Sequence, residues 1–256
     1  MVSRSRVAEQ FGQASHYHQQ ATLQRRVAQR LATHIAPFKL PAHPRILEIG
    51  CGTGFLSQHL LTLWPHGHLL LSDISPAMVA RCQEQLQGCG LERVVFKVLD
   101  GENLSEDGPF DLIVSSLAFQ WFNDPIGNLA TLCQKLAPGG RIAFMTLGEQ
   151  TFHEWRSLCD QQQIPCGLHS YPTQQVWTNN WPRGGEGEMV EAYLEETHPS
   201  PLAFLRGLKQ IGTALPASHH LPASGGALRR ALRHVNGNNR FFLATYHLLY
   251  GCFTKE

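Results

Sequence analysis

The heptapeptide Glu48-Ile-Gly-Cys-Gly-Thr-Gly54 concentrates the chemistry that this sequence offers. Three glycines within five residues let a backbone adopt positive φ and come close to a ligand. A carboxylate, Glu48, stands two residues ahead of them, and two more acids follow downstream, Asp73 and Asp100. Carboxylates accept hydrogen bonds from the hydroxyl and amino groups of a ligand. No Ser-His-Asp or Cys-His arrangement is evident, so a covalent nucleophile is not indicated. The histidine pairs 16/18, 66/68 and 219/220 have no third ligand nearby, and no metal is expected. The seven cysteines form no C-x-x-C pair and read as reduced thiols.

These residues need elements to hold them. Arg45–Ile49 reads as a short apolar strand that runs into the glycines, and residues 55–64 resume a helical pattern. His68–Ser72 is a second strand ending in Asp73, and 75–87 a helix with Pro76 in its first turn. Val94–Leu99 is a third strand ending in Asp100, and Phe110–Ser115 a fourth. A helix over 125–136 and the turn Pro138-Gly139-Gly140 lead to a fifth strand, Arg141–Leu147. This alternation predicts a parallel sheet with helices on both faces. In such sheets ligands bind beyond the carboxyl ends of the strands. There Asp73 suits a ribose diol and Asp100 an adenine amino group. A tight turn would explain the glycines alone but not the three acids at strand ends. Asp73 has a competing role as a helix N-cap before Ser75-Pro76.

Flanking this unit, residues 3–36 read as two helices broken near Gly12 and 15–20, with Leu23, Val27, Leu31 and Ile35 at helical spacing. After residue 150 the pattern is less regular. Helices are expected at 151–162, 201–211 and 227–235, a loop at 177–187, and strands at 189–197 and 243–253. The N-terminal helices and the helical parts of 151–235 are expected to cover the mouth of the sheet.

The 256 residues are 43% apolar and 16% charged, with a formal net charge of +1. That is an ordinary globular composition, without the basic field that drives nonspecific nucleic-acid binding. No apolar run approaches the ~20 residues of a membrane helix. The first ten residues have no apolar h-region of a secretory signal. A cytoplasmic protein with no nucleic-acid or membrane partner is expected.

A dinucleotide fingerprint requires G-x-G-x-x-G with an acid about 20 residues later. Here the glycines fall at 50, 52 and 54 and an acid precedes them. The segment instead resembles motif I of the S-adenosylmethionine-dependent methyltransferases, E/D-x-G-x-G-x-G. Leu136-Ala-Pro-Gly-Gly140 resembles the L-x-P-G-G turn before their fifth strand. The resemblance implies an α/β fold: a Rossmann-like seven-stranded methyltransferase sheet. Residues 1–40 would form N-terminal cap helices, and 41–256 the methyltransferase domain, with cap insertions within about 151–235. The implied cofactor is S-adenosyl-L-methionine, held by Glu48, Gly50, Gly52, Gly54, Asp73 and Asp100.

Other segments are more specific. Phe11-Gly-Gln-Ala-Ser-His-Tyr17 followed by Leu23-Gln24, then Ser116-Leu-Ala-Phe-Gln-Trp121, Leu205-Arg-Gly-Leu-Lys-Gln-Ile-Gly-Thr-Ala214 and Thr245-Tyr-His247, resemble the malonyl-acyl carrier protein O-methyltransferases of biotin synthesis. The likeness spans nearly the whole chain, although Thr213 interrupts a Gly-Ala pair and 178–188 matches nothing in the pattern. It implies methylation of the free carboxylate of a malonyl thioester, on malonyl-acyl carrier protein or malonyl-coenzyme A. It places Tyr17 and Trp121 beside the transferred methyl, as catalytic residues, unless these aromatics belong to the core. Arg206 and Lys209, three apart on one helix face, would orient the carboxylate, with Tyr246 and His247 completing the pocket. A solvated basic face is the competing reading of that pair. Arg25, Arg26 and Arg30, and Arg229, Arg230 and Arg233, would dock an acidic carrier protein. The alternatives are a methyltransferase for another small-molecule acceptor and a noncatalytic cofactor-binding protein on the same fold.

Overall fold

The computed structural model describes residues 3–13, 21–210 and 241–256, with positions 226, 228 and 232. Five strands form the parallel part of one sheet: β1 (Arg45–Ile49), β2 (His68–Asp73), β3 (Val94–Val98), β4 (Phe110–Ser116) and β5 (Leu136–Leu147). Ile46-Leu47 and Leu112-Ile113-Val114 are fully buried, as central strands covered on both faces must be. Helices α3 (Phe55–Leu63), α4 (Pro76–Gln85) and α5 (Pro125–Gln134) make the crossovers. Two long strands, β6 (Gly185–His198) and β7 (Phe242–Lys255), complete the order β3-β2-β1-β4-β5-β7-β6. β7 runs antiparallel to both of its neighbours. The seven-stranded Rossmann-like sheet expected from the sequence is present. Its order reverses between β1 and β4, which opens a crevice at their carboxyl ends.

The two N-terminal helices play different parts. In α2 (Thr22–Ile35) the stripe Leu23, Val27, Leu31 and Ile35 is buried, and the helix lies against α3, β4 and β5. Its wide aliphatic face makes α2 a layer of the main core rather than a lid. α1 (Arg4–Gln13) buries only Val7 and packs on α4, where the Arg81 guanidinium donates to the Gly12 carbonyl at 2.8 Å. Of these two helices, α1 is the one that sits over the mouth of the sheet.

Two boundaries differ from expectation. Pro138-Gly139-Gly140 is not a turn ahead of β5 but a bulge inside it: Phe110 pairs with Leu136 and Leu112 with Arg141, and Gly139 takes φ +74°. The stretch 177–187 is a loop only over 179–184; its ends belong to α7 (Gln174–Thr178) and to the start of β6. Trp177 is fully buried against Phe119 and Phe144, and a Cβ on Gly187 would collide with the Trp181 ring. The helix expected at 227–235 lies almost wholly outside the described residues. Helices α6 (His153–Gln161) and α8 (Pro201–Gln210) pack on β7, and α8 also on β6. Among the described residues no helix is long and apolar enough to cross a membrane.

Candidate active site

A cavity opens at the carboxyl ends of β1, β2, β3 and β4, where ligands of open α/β sheets bind. Gly50 and Gly52 line it directly, with φ of +76° and +53°. A Cβ on Gly50 would stand 2.5 Å from that of Ala118, so only glycine lets the loop lie this close to the end of β4. Gly54 is placed differently. It caps α3 with φ +89°, and the space beside it is taken by Cys82 and Leu86. Its role is helix packing rather than ligand contact.

The three acids also divide. Asp73 lines the cavity at the end of β2 and accepts the Gly52 N–H at 3.0 Å and the Ser75 N–H at 2.8 Å. It therefore shapes the glycine loop and the turn into α4, whose N-cap is Ser75 rather than Asp73, and keeps acceptor capacity for a ligand diol. Burial pushes its pKa up to about 6, against the pull of backbone N–H bonds from Ser75, Gly52 and Ile74. Glu48 is buried under the loop, where the Ser57 hydroxyl donates to it at 2.6 Å. Burial lifts it to about 7, opposed by that hydrogen bond and helped by the charge of Asp73. Glu48 does not line the cavity; it ties β1 to the first turn of α3. Asp100 lines the cavity after β3, with its carboxylate held by the Glu102 N–H at 3.0 Å and the Asn103 amide at 3.1 Å.

Arg4 carries no sequence signal, yet it is central here. From α1 it pairs with Asp100 and, at 2.9 Å, with Glu102. Glu102 in turn accepts the backbone N–H groups of Asn123 and Asp124. The arginine thus pins the covering helix to the two loops that edge the cavity. Gly101, between the two acids, has no room for a Cβ, which would meet Ile49 at 2.5 Å.

Trp121 ends a single 3₁₀ turn, Phe119–Trp121, after β4. Its ring meets Phe11 of α1 edge-on at 5.5 Å and His169 at 5.8 Å. It lines this cavity and also a second one beside it. Leu117, held at φ +56°, borders both as well. Gln24, Tyr171 and Tyr246 face the second cavity. Two adjoining chambers that share Leu117 and Trp121 as a wall suit a reaction between two ligands.

The remaining expectations separate clearly. Tyr246 lines the second cavity, but His247, its neighbour on β7, points to the opposite face, as strand alternation requires. There His247 stacks on Tyr193 at 4.9 Å and lies 3.4 Å from Glu191. Arg206 and Lys209 are exposed on the outer face of α8, whose inner face buries Phe204 and Leu208; neither cation lines a cavity. On α2, Arg25 and Arg26 are exposed and Arg30 is half-buried, and the Arg25 guanidinium lies 5.0 Å over the Phe55 ring. Tyr17, Arg229, Arg230 and Arg233 lie outside the described residues.

The glycine cradle, an acid at the end of β2 and another at the end of β3 fit a nucleoside-bearing ligand such as S-adenosylmethionine. Comparison with known proteins agrees. Residues 46–140 match the family model described as a methyltransferase domain. The chain is 45% identical to a malonyl-[acyl-carrier protein] O-methyltransferase of Magnetococcus marinus, over 98% of this chain and 93% of that protein. It is 36% identical over 97% of its length to the biotin biosynthesis bifunctional protein BioCD of Bordetella avium, of which it spans 52%. Among solved structures, the N-methyltransferase NodS of Bradyrhizobium japonicum, in complex with S-adenosyl-L-homocysteine, shares the fold. Its TM-score is 0.51 at 15% identity, over 90% of this chain and 85% of that one.

Proposed function

This chain belongs to the malonyl-[acyl-carrier protein] O-methyltransferases, and from that membership we propose how its own residues serve the family's reaction. It is an S-adenosylmethionine-dependent O-methyltransferase that converts the free carboxylate of malonyl-acyl carrier protein to its methyl ester, within biotin synthesis. Bound S-adenosylmethionine supplies an electrophilic methyl group on a positively charged sulfur. Gly50 and Gly52 receive it against bare backbone, Asp73 takes the ribose diol and Asp100 the adenine amino group. Glu48 acts one layer below, bracing the loop through Ser57. Arg4 closes α1 over the nucleoside end through Asp100 and Glu102.

The acceptor is a carboxylate with a pKa of about 3–4, ionised at neutral pH. It needs no general base, which agrees with a sequence that offers no base–nucleophile pair. What the protein must provide is alignment and the exclusion of water. Trp121, braced by Phe11, is placed to do both at the junction of the two cavities. Tyr17 would join it from the segment after α1. Carrier-protein docking falls to the basic face of α2 around Arg26 and Arg30, with Arg25 beside them and Arg229, Arg230 and Arg233 as the second cluster. Complementary charge of this kind speeds encounter and weakens with salt.

The observation that carries this reading is the 45% identity over 98% of the chain and 93% of the relative. The test is transfer of labelled methyl to malonyl-acyl carrier protein, to malonyl-coenzyme A and to a longer dicarboxylate thioester. Both malonyl thioesters should accept methyl, the carrier protein with the lower KM and with sensitivity to salt. Turnover with neither malonyl thioester would overturn it.

A further inference from the structure

The second cavity holds polar groups able to recognise a carboxylate, and among the described residues its wall includes His169 but no lysine or arginine. Its wall is mostly apolar, with Leu117 and Trp121 on the side shared with the glycine cradle. Two polar groups face it. The Gln24 Oε1 is buried and unpartnered among the described residues, and the half-buried Tyr171 phenol has no hydrogen bond to another described residue. Tyr246, also in the wall, is already engaged by Glu196. A buried hydrogen-bonding group left unsatisfied is costly, and the Gln24 amide, with the open phenol beside it in the wall, points to a ligand that completes it.

The surroundings of Tyr171 fit that role. Burial pushes its pKa up to about 12, so it is a neutral donor at physiological pH. The loop that carries it is held from behind by Arg156, which donates to the His169 carbonyl at 2.6 Å and to the Thr151 carbonyl at 3.3 Å. Gln24 projects from the first turn of α2, and its amide meets a carboxylate only with the donor Nε2 turned to the cavity in place of Oε1, a half-turn that exchanges two nearly isosteric ends. Arg206 and Lys209, the cations that the helical spacing suggests for this task, face solvent.

We propose that Tyr171 binds the carboxylate of the methyl acceptor by donating its phenolic hydrogen bond, with the Gln24 amide as the second contact. The site would take a short-chain thioester ending in a carboxylate and discriminate against the same thioester lacking it. Neutral donors suit the chemistry. A carboxylate clamped by guanidinium gives up the electron density needed for attack, whereas one held by a phenol and an amide in an apolar chamber stays reactive. This assignment rests on the methyl-acceptor reading above.

Calorimetry on the protein saturated with S-adenosylhomocysteine tests it without turnover. Malonyl- and acetyl-acyl carrier protein are titrated into the unaltered protein, Tyr171→Phe and Gln24→Glu. The unaltered protein should prefer malonyl. Tyr171→Phe should lose about tenfold or more in malonyl affinity while acetyl affinity stays within about twofold. Gln24→Glu should invert the preference by placing a like charge against the acceptor. Normal S-adenosylhomocysteine affinity in each variant confirms that the fold is kept. A wild-type preference for malonyl in Tyr171→Phe overturns the assignment, as does an unchanged preference in Gln24→Glu should Tyr171→Phe fail to fold. No malonyl preference in the unaltered protein overturns the acceptor reading itself and this inference with it.

Discussion

Replacing Asp73 with alanine separates what this carboxylate does for the fold from what it does for the ligand. In the fold it accepts N–H groups from Gly52 and Ser75, at 3.0 and 2.8 Å. Leaving both donors without that partner costs about 2–4 kcal/mol. Against this stands the expense of an ionised carboxylate in a buried position. Burial lifts its pKa from 3.8 to about 6. At 1.36 kcal/mol per pH unit, that gap corresponds to about 3 kcal/mol at pH 7. The sign follows from proton uptake. Between about pH 4 and 6 the folded state holds the proton more tightly than the unfolded one. This group's contribution is therefore most favourable below about pH 4, declines as the pH rises to about 6 and is flat above. At pH 7 the two effects nearly cancel, and the Tm of Asp73→Ala without ligand should lie within a few degrees of wild type. At pH 4 most of the relief is gone, and the variant should melt lower by roughly 5–10 °C. Binding has no such compensation. Two hydroxyl bonds to a carboxylate are worth at least about 3 kcal/mol together, so S-adenosylmethionine affinity at pH 7 should fall at least a hundredfold. Calorimetry and melts at the two pH values read both quantities. Unchanged cofactor affinity would refute the assignment of Asp73 to the ribose.

Gly50→Ala should cost about 2–4 kcal/mol, because φ is +76° and the new Cβ meets Ala118 at 2.5 Å. Gly139→Ala, at φ +74° in open space, should cost only about 1 kcal/mol in parallel melts. Trp121→Ala, and Tyr17→Phe if Tyr17 joins it, should lower kcat at least roughly tenfold more than cofactor affinity in paired kinetics and calorimetry. Equal loss of folding and activity would make Trp121 a core residue. Arg206→Ala and Lys209→Ala should leave the preference for malonyl over acetyl thioesters intact and shift stability by no more than about 0.5 kcal/mol. A lost preference in either variant would return that cation to the acceptor. Arg26→Glu with Arg30→Glu should raise KM for malonyl-acyl carrier protein several-fold at low salt while sparing malonyl-coenzyme A. Equal effects on both would remove α2 from the docking face.

The parallel unit was legible because central buried strands read as continuous apolar runs, Ile46-Leu47 and Leu112-Ile113-Val114, each punctuated by glycine or acid. The acids at strand ends followed from the same alternation. Their division of labour did not, since nothing in spacing says that Glu48 lies under the loop while Asp73 lies beside the cavity. Two misplacements were avoidable. Adjacent strand residues face opposite ways, so Tyr246 and His247 could not both enter one pocket. On α8, Phe204 and Leu208 already mark the buried stripe, which turns Arg206 and Lys209 outward. Trp177 was hidden by the Asn, Pro and Gly that follow it, although a tryptophan in such a stretch is a candidate for burial. Arg4 and Tyr171 act only through contacts across the fold, from α1 to the end of β3 and from a long loop to the second cavity. No local pattern could have announced them.

The central claim is that this protein places one methyl group on the free carboxylate of a malonyl thioester. Mass spectrometry of the intact carrier protein after incubation with enzyme and S-adenosylmethionine measures this directly. The account predicts that malonyl-acyl carrier protein gains the mass of a single CH₂, that fragmentation locates it on the distal carboxylate, and that mild alkali removes it as methanol. Acetyl-acyl carrier protein should gain nothing. An unmodified malonyl species, or a methyl group found on carbon or on the carrier polypeptide instead, would contradict the account.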